Sequence, residues 1–177
     1  MEIKECIKGR RSVRKYAYEK IEREVIEELI KAGQYAPSWK NSQTPRYYAA
    51  ISEGAISAVN SCLPDFNAER TMGVGAYIVT TAKKGLSGCN RDGEYFSHLG
   101  NGYECFDNGL AVENILLYAH SIGYSTLIMG LFDEGALRQL LSIPDDEDIV
   151  VVLAVGRRDV EPQRPERKAT EEILKIF

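Results

Sequence analysis

The chain has 177 residues, 44% of them hydrophobic and 27% charged, the profile of one soluble globular domain with a core of ordinary size. Its net charge of −4 is unevenly spread: residues 1–15 hold six Lys/Arg against two Glu, and residues 157–168 hold five against three Asp/Glu, so the rest is strongly acidic. Two basic segments at the ends of an acidic chain suggest a local anion site and argue against a nucleic-acid face, which would make a whole domain basic. No apolar run approaches the ~20 residues of a membrane span. The opening MEIKECIKGRR lacks the apolar stretch of a signal peptide, so a cytoplasmic protein is expected.

In chain order, MEIKECIKG reads as a short helix with Ile3 and Ile7 on one side, ended by Gly9. Residues Ile21 to Tyr35 place Ile21, Val25, Leu29 and Ala32 at helical spacing, with Glu22, Glu24, Glu27 and Glu28 on the solvated face. APSWKNSQTPR is a loop by its Pro, Ser and Asn content, and YYAAI (Tyr47–Ile51) reads as a strand. GAISAVNSCL is a short helix stopped before Pro64, and Asn67 falls in a loop ahead of the β-branched strand GAYIVTTA (Gly75–Ala82). Lys83 to Glu104 has no clear period and five glycines, yet Tyr95, Phe96 and Tyr103 give it more aromatic content than a linker needs. It reads equally as a lid over a site or as a loop packed on a partner subunit.

Cys105 to Gly123 is a long helix apolar nearly all round, and so suggests a subunit interface. YSTLIMG is a strand and turn, DEGALRQLLSI a helix capped by Asp133, and DIVVVLAVG an interior strand. The tail is basic, holds two prolines and finishes in a short amphipathic stretch. Without regular βαβ alternation the pattern is α+β, helices on a sheet, in a single domain spanning 1–177.

Chemistry concentrates in few places. Arg10, Ser12 and Arg14 alternate, so in an extended segment they share one face, and guanidinium groups bind phosphate oxygens in bidentate fashion. A solvated basic turn is the alternative, but Arg164, Arg167 and Lys168 supply a second cationic segment. Pro37-Ser38-x-x-Asn41-x-Gln43 offers amides and hydroxyls to a heteroaromatic edge, or forms a self-bonded turn; Asn67 shares that ambiguity. The four cysteines form no CxxC pair and read as free thiols, so no metal site is expected. No GxGxxG follows a strand, and GxxxxGK[ST], GxSxG and HExxH are absent. His120 reads as a core residue and His98 as a weak acid/base candidate. No catalytic side chain stands out, and demanding chemistry here calls for a cofactor.

Taken in order, RRSVRKY, APSWKNSQTPRYY, GLAVENILLYAHSIGYSTLIMG and RKATEEI resemble the motifs of the FMN-dependent nitroreductase family: RRSxR, APSxxNxQPWxF, GxAxxNxxLxAxxxGLxSxxxG and RKPxEE. The match runs from the first helix to the last ten residues, in a short, minimal version. The resemblance implies a mixed sheet flanked by helices, in an intertwined homodimer with FMN at each interface. It assigns Arg10, Arg11, Ser12, Arg14, Arg167 and Lys168 to the phosphate and ribityl chain. Pro37, Ser38 and Asn41, with Gln43 of the same loop, would reach the flavin of the partner subunit. Asn67 would bond the flavin ring edge, and Met129 and Gly130 would lie beside the ring. NADH or NADPH would reduce the flavin, and a nitroaromatic, quinone or similar small acceptor would reoxidise it in a ping-pong cycle. Family branches that dehalogenate or fragment the flavin, and a flavin carrier without turnover, are the other readings. The family's QPW reads QTP here, with Thr44 and Pro45 in place of Pro and Trp, and RKP reads RKA at Ala169.

Overall fold

Residues 2–177 are described by the computed structural model. They form α1 (Ile3–Gly9), α2 (Arg23–Gln34), β1 (Pro45–Ala50), α3 (Glu53–Asn60), α4 (Asp65–Arg70), β2 (Ala76–Lys83), α5 (Gly102–Ser121), β3 (Ser125–Met129), α6 (Glu134–Leu141), β4 (Glu147–Gly156) and α7 (Thr170–Ile173). The four strands lie in the order β1-β2-β4-β3, and each neighbouring pair is antiparallel. Parallel pairing enters only outside them, where Ser12 bridges to Thr126 on β3. The α+β class expected from the sequence holds.

Both faces of the sheet are covered, which explains the nearly unbroken apolar runs of β2 and β4. With the two-residue period of a strand, Tyr77 and Val79 with Val152 and Ala154 point to one face, and Ala76 and Ile78 with Leu153 and Val155 to the other. The first face packs under α3, α4 and α6, where Val59 and Leu137 are fully buried. The second carries α2 and α5, whose Leu29, Ile115 and Ala119 are also fully buried. Each such Leu or Ile contributes about 1.5–3 kcal/mol by leaving water.

α5 is also tied to the sheet by polar contacts. The β2–β4 register slips between Thr80 and Thr81. At that irregularity Asn108 Nδ2 donates to Thr81 O at 3.0 Å, and Thr80 Oγ1 donates to Asn108 Oδ1 at 3.0 Å. One amide thus satisfies backbone and side chain where the ladder is disturbed.

One expectation needs correction. DFNAER is not a loop but helix α4; six mostly polar residues carry too little pattern to show as a helix, and Pro64 starts it by accepting from Asn67 N (2.8 Å) and Ala68 N (3.0 Å). Ile3 and Ile7 lie exposed, and the buried position of α1 is Cys6, whose thiol donates to Leu117 O on α5 at 3.0 Å. α5 keeps an open side as well, running through Phe106, Gly109 and Glu113. Asp133 does cap α6, accepting from Ala136 N at 2.9 Å. Among the described residues no helix is long and apolar enough to cross a membrane.

Candidate functional site

α1 stops at Gly9, and the chain then runs extended across the end of the sheet. Val13 N donates to Thr126 O at 2.9 Å, and Val13 and Tyr16 turn into the core. Alternation therefore turns Ser12 and Arg14 outward. They line a cleft of about 420 Å³ together with Arg10, Arg11, Pro162, Gln163, Pro165 and Arg167. Arg11 joins although it is out of phase, because its guanidinium curls back onto the carbonyls of Lys8 (2.5 Å) and Arg10 (2.7 Å). Lys168, expected here, is not part of the lining.

Four guanidinium groups in one cleft repel one another unless an anion sits between them. Among the described residues the carboxylate in range is Glu113, 3.9 Å from Arg10 Nε, and none pairs with Arg11, Arg14 or Arg167. Two further arginines nearby are engaged: Arg158 pairs with Glu161 at 2.7 Å, and Arg157 lies over the Tyr124 ring at 4.1 Å; Arg164, between the lining residues Gln163 and Pro165, forms no ion pair among the described residues and is not part of the lining. The donor set left over, planar forks with little internal neutralisation, fits a phosphate group.

The second predicted group lies elsewhere. Pro37, Ser38 and Gln43 line a separate cavity of about 440 Å³ with Gln34, Arg46 and Tyr47; Asn41 is not in its lining. The loop is tightly constrained. Lys40, Asn41 and Gln43 have φ of 47°, 57° and 49°, a left-handed conformation costly for side chains with a Cβ and concentrated at functional sites. Three contacts hold it. Gln43 N donates to Ser38 Oγ at 3.0 Å, Trp39 N donates to Asp107 Oδ2 at 3.0 Å, and Ser87 Oγ donates to the same oxygen at 2.7 Å. The side chains of Trp39, Ser42 and Thr44 each bury a polar atom without a hydrogen-bond partner among the described residues.

The glycine-rich segment between β2 and α5 folds back on this loop. Its Phe96 meets the Trp39 ring edge-on at 5.8 Å, Tyr103 at the start of α5 lies 4.7 Å from it, and Lys40 Nζ sits 5.3 Å from Phe96. Tyr95 OH donates to Glu104 Oε1 at 2.8 Å. Within this chain Phe96 and Tyr103 thus pack on Trp39 of the Pro37–Gln43 loop.

A third group forms around α4. Asn67 is buried, and its Nδ2 donates to Leu131 O at 3.5 Å, just past Met129 and Gly130. Met129 is buried and Gly130 exposed, so an accessible backbone stretch adjoins a buried amide.

Of the histidines, His98 is exposed near Tyr103 and lines neither cavity. His120 is half-buried against Gly9, where any Cβ would come within 2.5 Å of its Nε2. Burial pushes its proton affinity down, and Arg158, Arg10 and Arg11 push it further. Among the described residues no three His, Cys, Asp or Glu side chains gather as a metal site, and all four cysteines are free. Asp107 was not singled out by the sequence reading. Its only signal is a carboxylate inside an apolar helix.

The model of the nitroreductase family matches residues 7–85 and 89–157. An Archaeoglobus fulgidus protein named "Putative NADH dehydrogenase/NAD(P)H nitroreductase" is 30% identical over 161 residues, covering 87% of this chain and 86% of its own. A nitroreductase family protein from Clostridium novyi NT superposes with a TM-score of 0.76 at 25% identity, covering 90% of this chain and 86% of that one. A structure from Exiguobacterium sibiricum 255-15, named as a "putative nitroreductase in complex with FMN", shares the fold at a TM-score of 0.87, with 20% identity over 100% of this chain and 98% of that one. The chain belongs to the nitroreductase family.

Proposed function

We propose that this protein is an FMN-dependent oxidoreductase that takes electrons from NADH or NADPH and passes them to nitroaromatic, quinone or similar small acceptors in a ping-pong cycle. The observation that carries the proposal is the four-arginine cleft, with its hydroxyl at Ser12 and, among the described residues, one carboxylate within ion-pair distance of those arginines. Family membership and the NAD(P)H in the relative's name support it.

In this reading Arg10, Arg11, Ser12, Arg14 and Arg167 hold the FMN phosphate and ribityl chain. Lys168 adds only longer-range charge. Asn67 bonds the ring edge, and Met129 and Gly130 border the ring. When bound, FMN supplies the hydride and electron chemistry. The protein anchors the phosphate, fixes the edge amide and leaves one side open to both substrates, which accounts for alternating use and broad acceptor choice. Solvent supplies the protons, so no side chain is assigned as a general acid.

Pro37, Ser38, Asn41 and Gln43 complete the site from a second copy. The cavity lined by Pro37, Ser38 and Gln43 shares no lining residue with the arginine cleft, which favours a homodimer in which each flavin touches both chains. The open side of α5 and the exposed Ile3 and Ile7 supply apolar surface for such contact.

The test is the visible spectrum of the purified protein after incubation with FMN and desalting. Retained flavin bands that NADH or NADPH bleaches are expected. Retained flavin that neither nicotinamide bleaches would point to another donor or to a carrier, and no retained flavin would overturn the assignment of the cleft.

A further inference from the structure

α4 has six residues, too few to hold a helix by itself, so its placement depends on what anchors its ends. The C-terminal anchor is a closed polar cluster. Thr71 Oγ1 donates to Asn67 O at 2.8 Å, and Thr71 N reaches the same carbonyl at 3.1 Å. Tyr77 OH, from the start of β2, donates to Thr71 Oγ1 at 2.5 Å. Asn60 Nδ2, at the end of α3, donates to Tyr77 OH at 2.8 Å, to Thr71 Oγ1 at 3.3 Å and to Ala68 O at 3.2 Å. Tyr77 is fully buried and Thr71 nearly so. Burial also pushes the Tyr77 phenol up, so it keeps its proton and stays a donor.

We propose that Thr71 and Tyr77 are positioning residues for the flavin ring edge: Tyr77 fixes the Thr71 hydroxyl, and Thr71 holds the Asn67 backbone so that its side-chain amide faces the ring. This rests on the assignment of Asn67 to the flavin. The cluster does more than close a helix. Its two donors converge on the carbonyl of the one α4 residue whose side chain crosses to the segment after Met129 and Gly130. Buried polar clusters of this kind fix one geometry where apolar packing alone would allow several.

The test compares FMN-loaded wild type with Asn67→Ala, Thr71→Val, Thr71→Ser, Tyr77→Phe and the Asn67→Ala/Thr71→Val double variant. The readouts are the flavin midpoint potential, the position of its visible band and the FMN Kd. Asn67→Ala is expected to shift potential and band. Thr71→Val and Tyr77→Phe are expected to shift them in the same direction and raise Kd about fivefold, the factor one neutral hydrogen bond commands. Thr71→Ser, which keeps the hydroxyl, should match wild type. The double variant should resemble Asn67→Ala alone.

A shift for Asn67→Ala with none for Thr71→Val and Tyr77→Phe would overturn the positioning role and leave the ring-edge assignment standing. No shift for Asn67→Ala would overturn that assignment, and the positioning role with it. Additive shifts in the double variant would show that Thr71 acts independently of Asn67, which also overturns the proposal. If Thr71→Val does not fold, Tyr77→Phe, which keeps the packed ring, decides the matter.

Discussion

Removing the arginines one at a time should weaken FMN binding by unequal amounts set by what each guanidinium already touches. A hydrogen bond to a charged group contributes about 1.5–3 kcal/mol, or roughly 10- to 150-fold in Kd. Arg14 is exposed, its one internal contact is a 3.5 Å approach to Ser12 O, and solvent screens it, so Arg14→Ala should fall near the tenfold end. Arg10 is better shielded, with 21% of its side chain exposed, so Arg10→Ala should reach the upper half of that range. Glu113, 3.9 Å from Arg10 and half exposed, competes with the ligand for that charge. Glu113→Gln should therefore tighten FMN by about two- to fivefold, the size of a surface ion pair. The assay is a fluorescence titration of FMN into flavin-free protein, with thermal melts to show that each variant is folded. If both arginine variants fold, stay within twofold of wild type, and Glu113→Gln changes nothing, the cleft does not bind the phosphate.

Two further outcomes follow from the contacts described. Asp107→Ala leaves Trp39 N and Ser87 Oγ without their shared acceptor, which costs about 2–4 kcal/mol and should lower Tm by roughly 4–16 °C; a melt within 2 °C of wild type would show that the carboxylate does not hold the loop. For His120 the sign runs against acid. Its folded-state proton affinity is held down by burial first and by Arg158, Arg10 and Arg11 next, with Glu161 opposing, so the unfolded chain takes up the proton first. Stability is then lost as pH falls through about 6.5, the ordinary histidine value. Relative to its difference at pH 8, the Tm of His120→Gln should gain on wild type between pH 6.5 and 5, and parallel curves would refute the account.

Much of this could be read from the sequence, for reasons that differ by element. β2 and β4 declared themselves because burial on both faces demands unbroken apolar runs, and α6 because Asp133 and its period agree. The arginine segment was legible as an alternation, and extended structure preserves alternation as a shared face. α4 was not legible, since six mostly polar residues owe their helix to Pro64 and the Thr71 cluster rather than to any pattern of their own. The roles of Asp107 and Tyr77 were hidden for a related reason. A buried carboxylate or phenol shows its purpose only through partners 68 or 6 residues away, and nothing local marks them. Ile3 and Ile7 share a side of α1 as their spacing says, but spacing alone does not say what covers that side.

The bridge between Ser12 and Thr126 has one more consequence. β3 is an outer strand, and an outer strand with open backbone groups is a template on which other chains can add. The stretch that carries the arginines occupies part of that rim, so the same few residues proposed to contact the phosphate also guard against edge-to-edge association. On the proposed assignment, selection for solubility and selection for anion binding act on one short segment. A change there that spares every guanidinium yet loosens Val13 from Thr126 would still be penalised, through aggregation rather than through lost affinity.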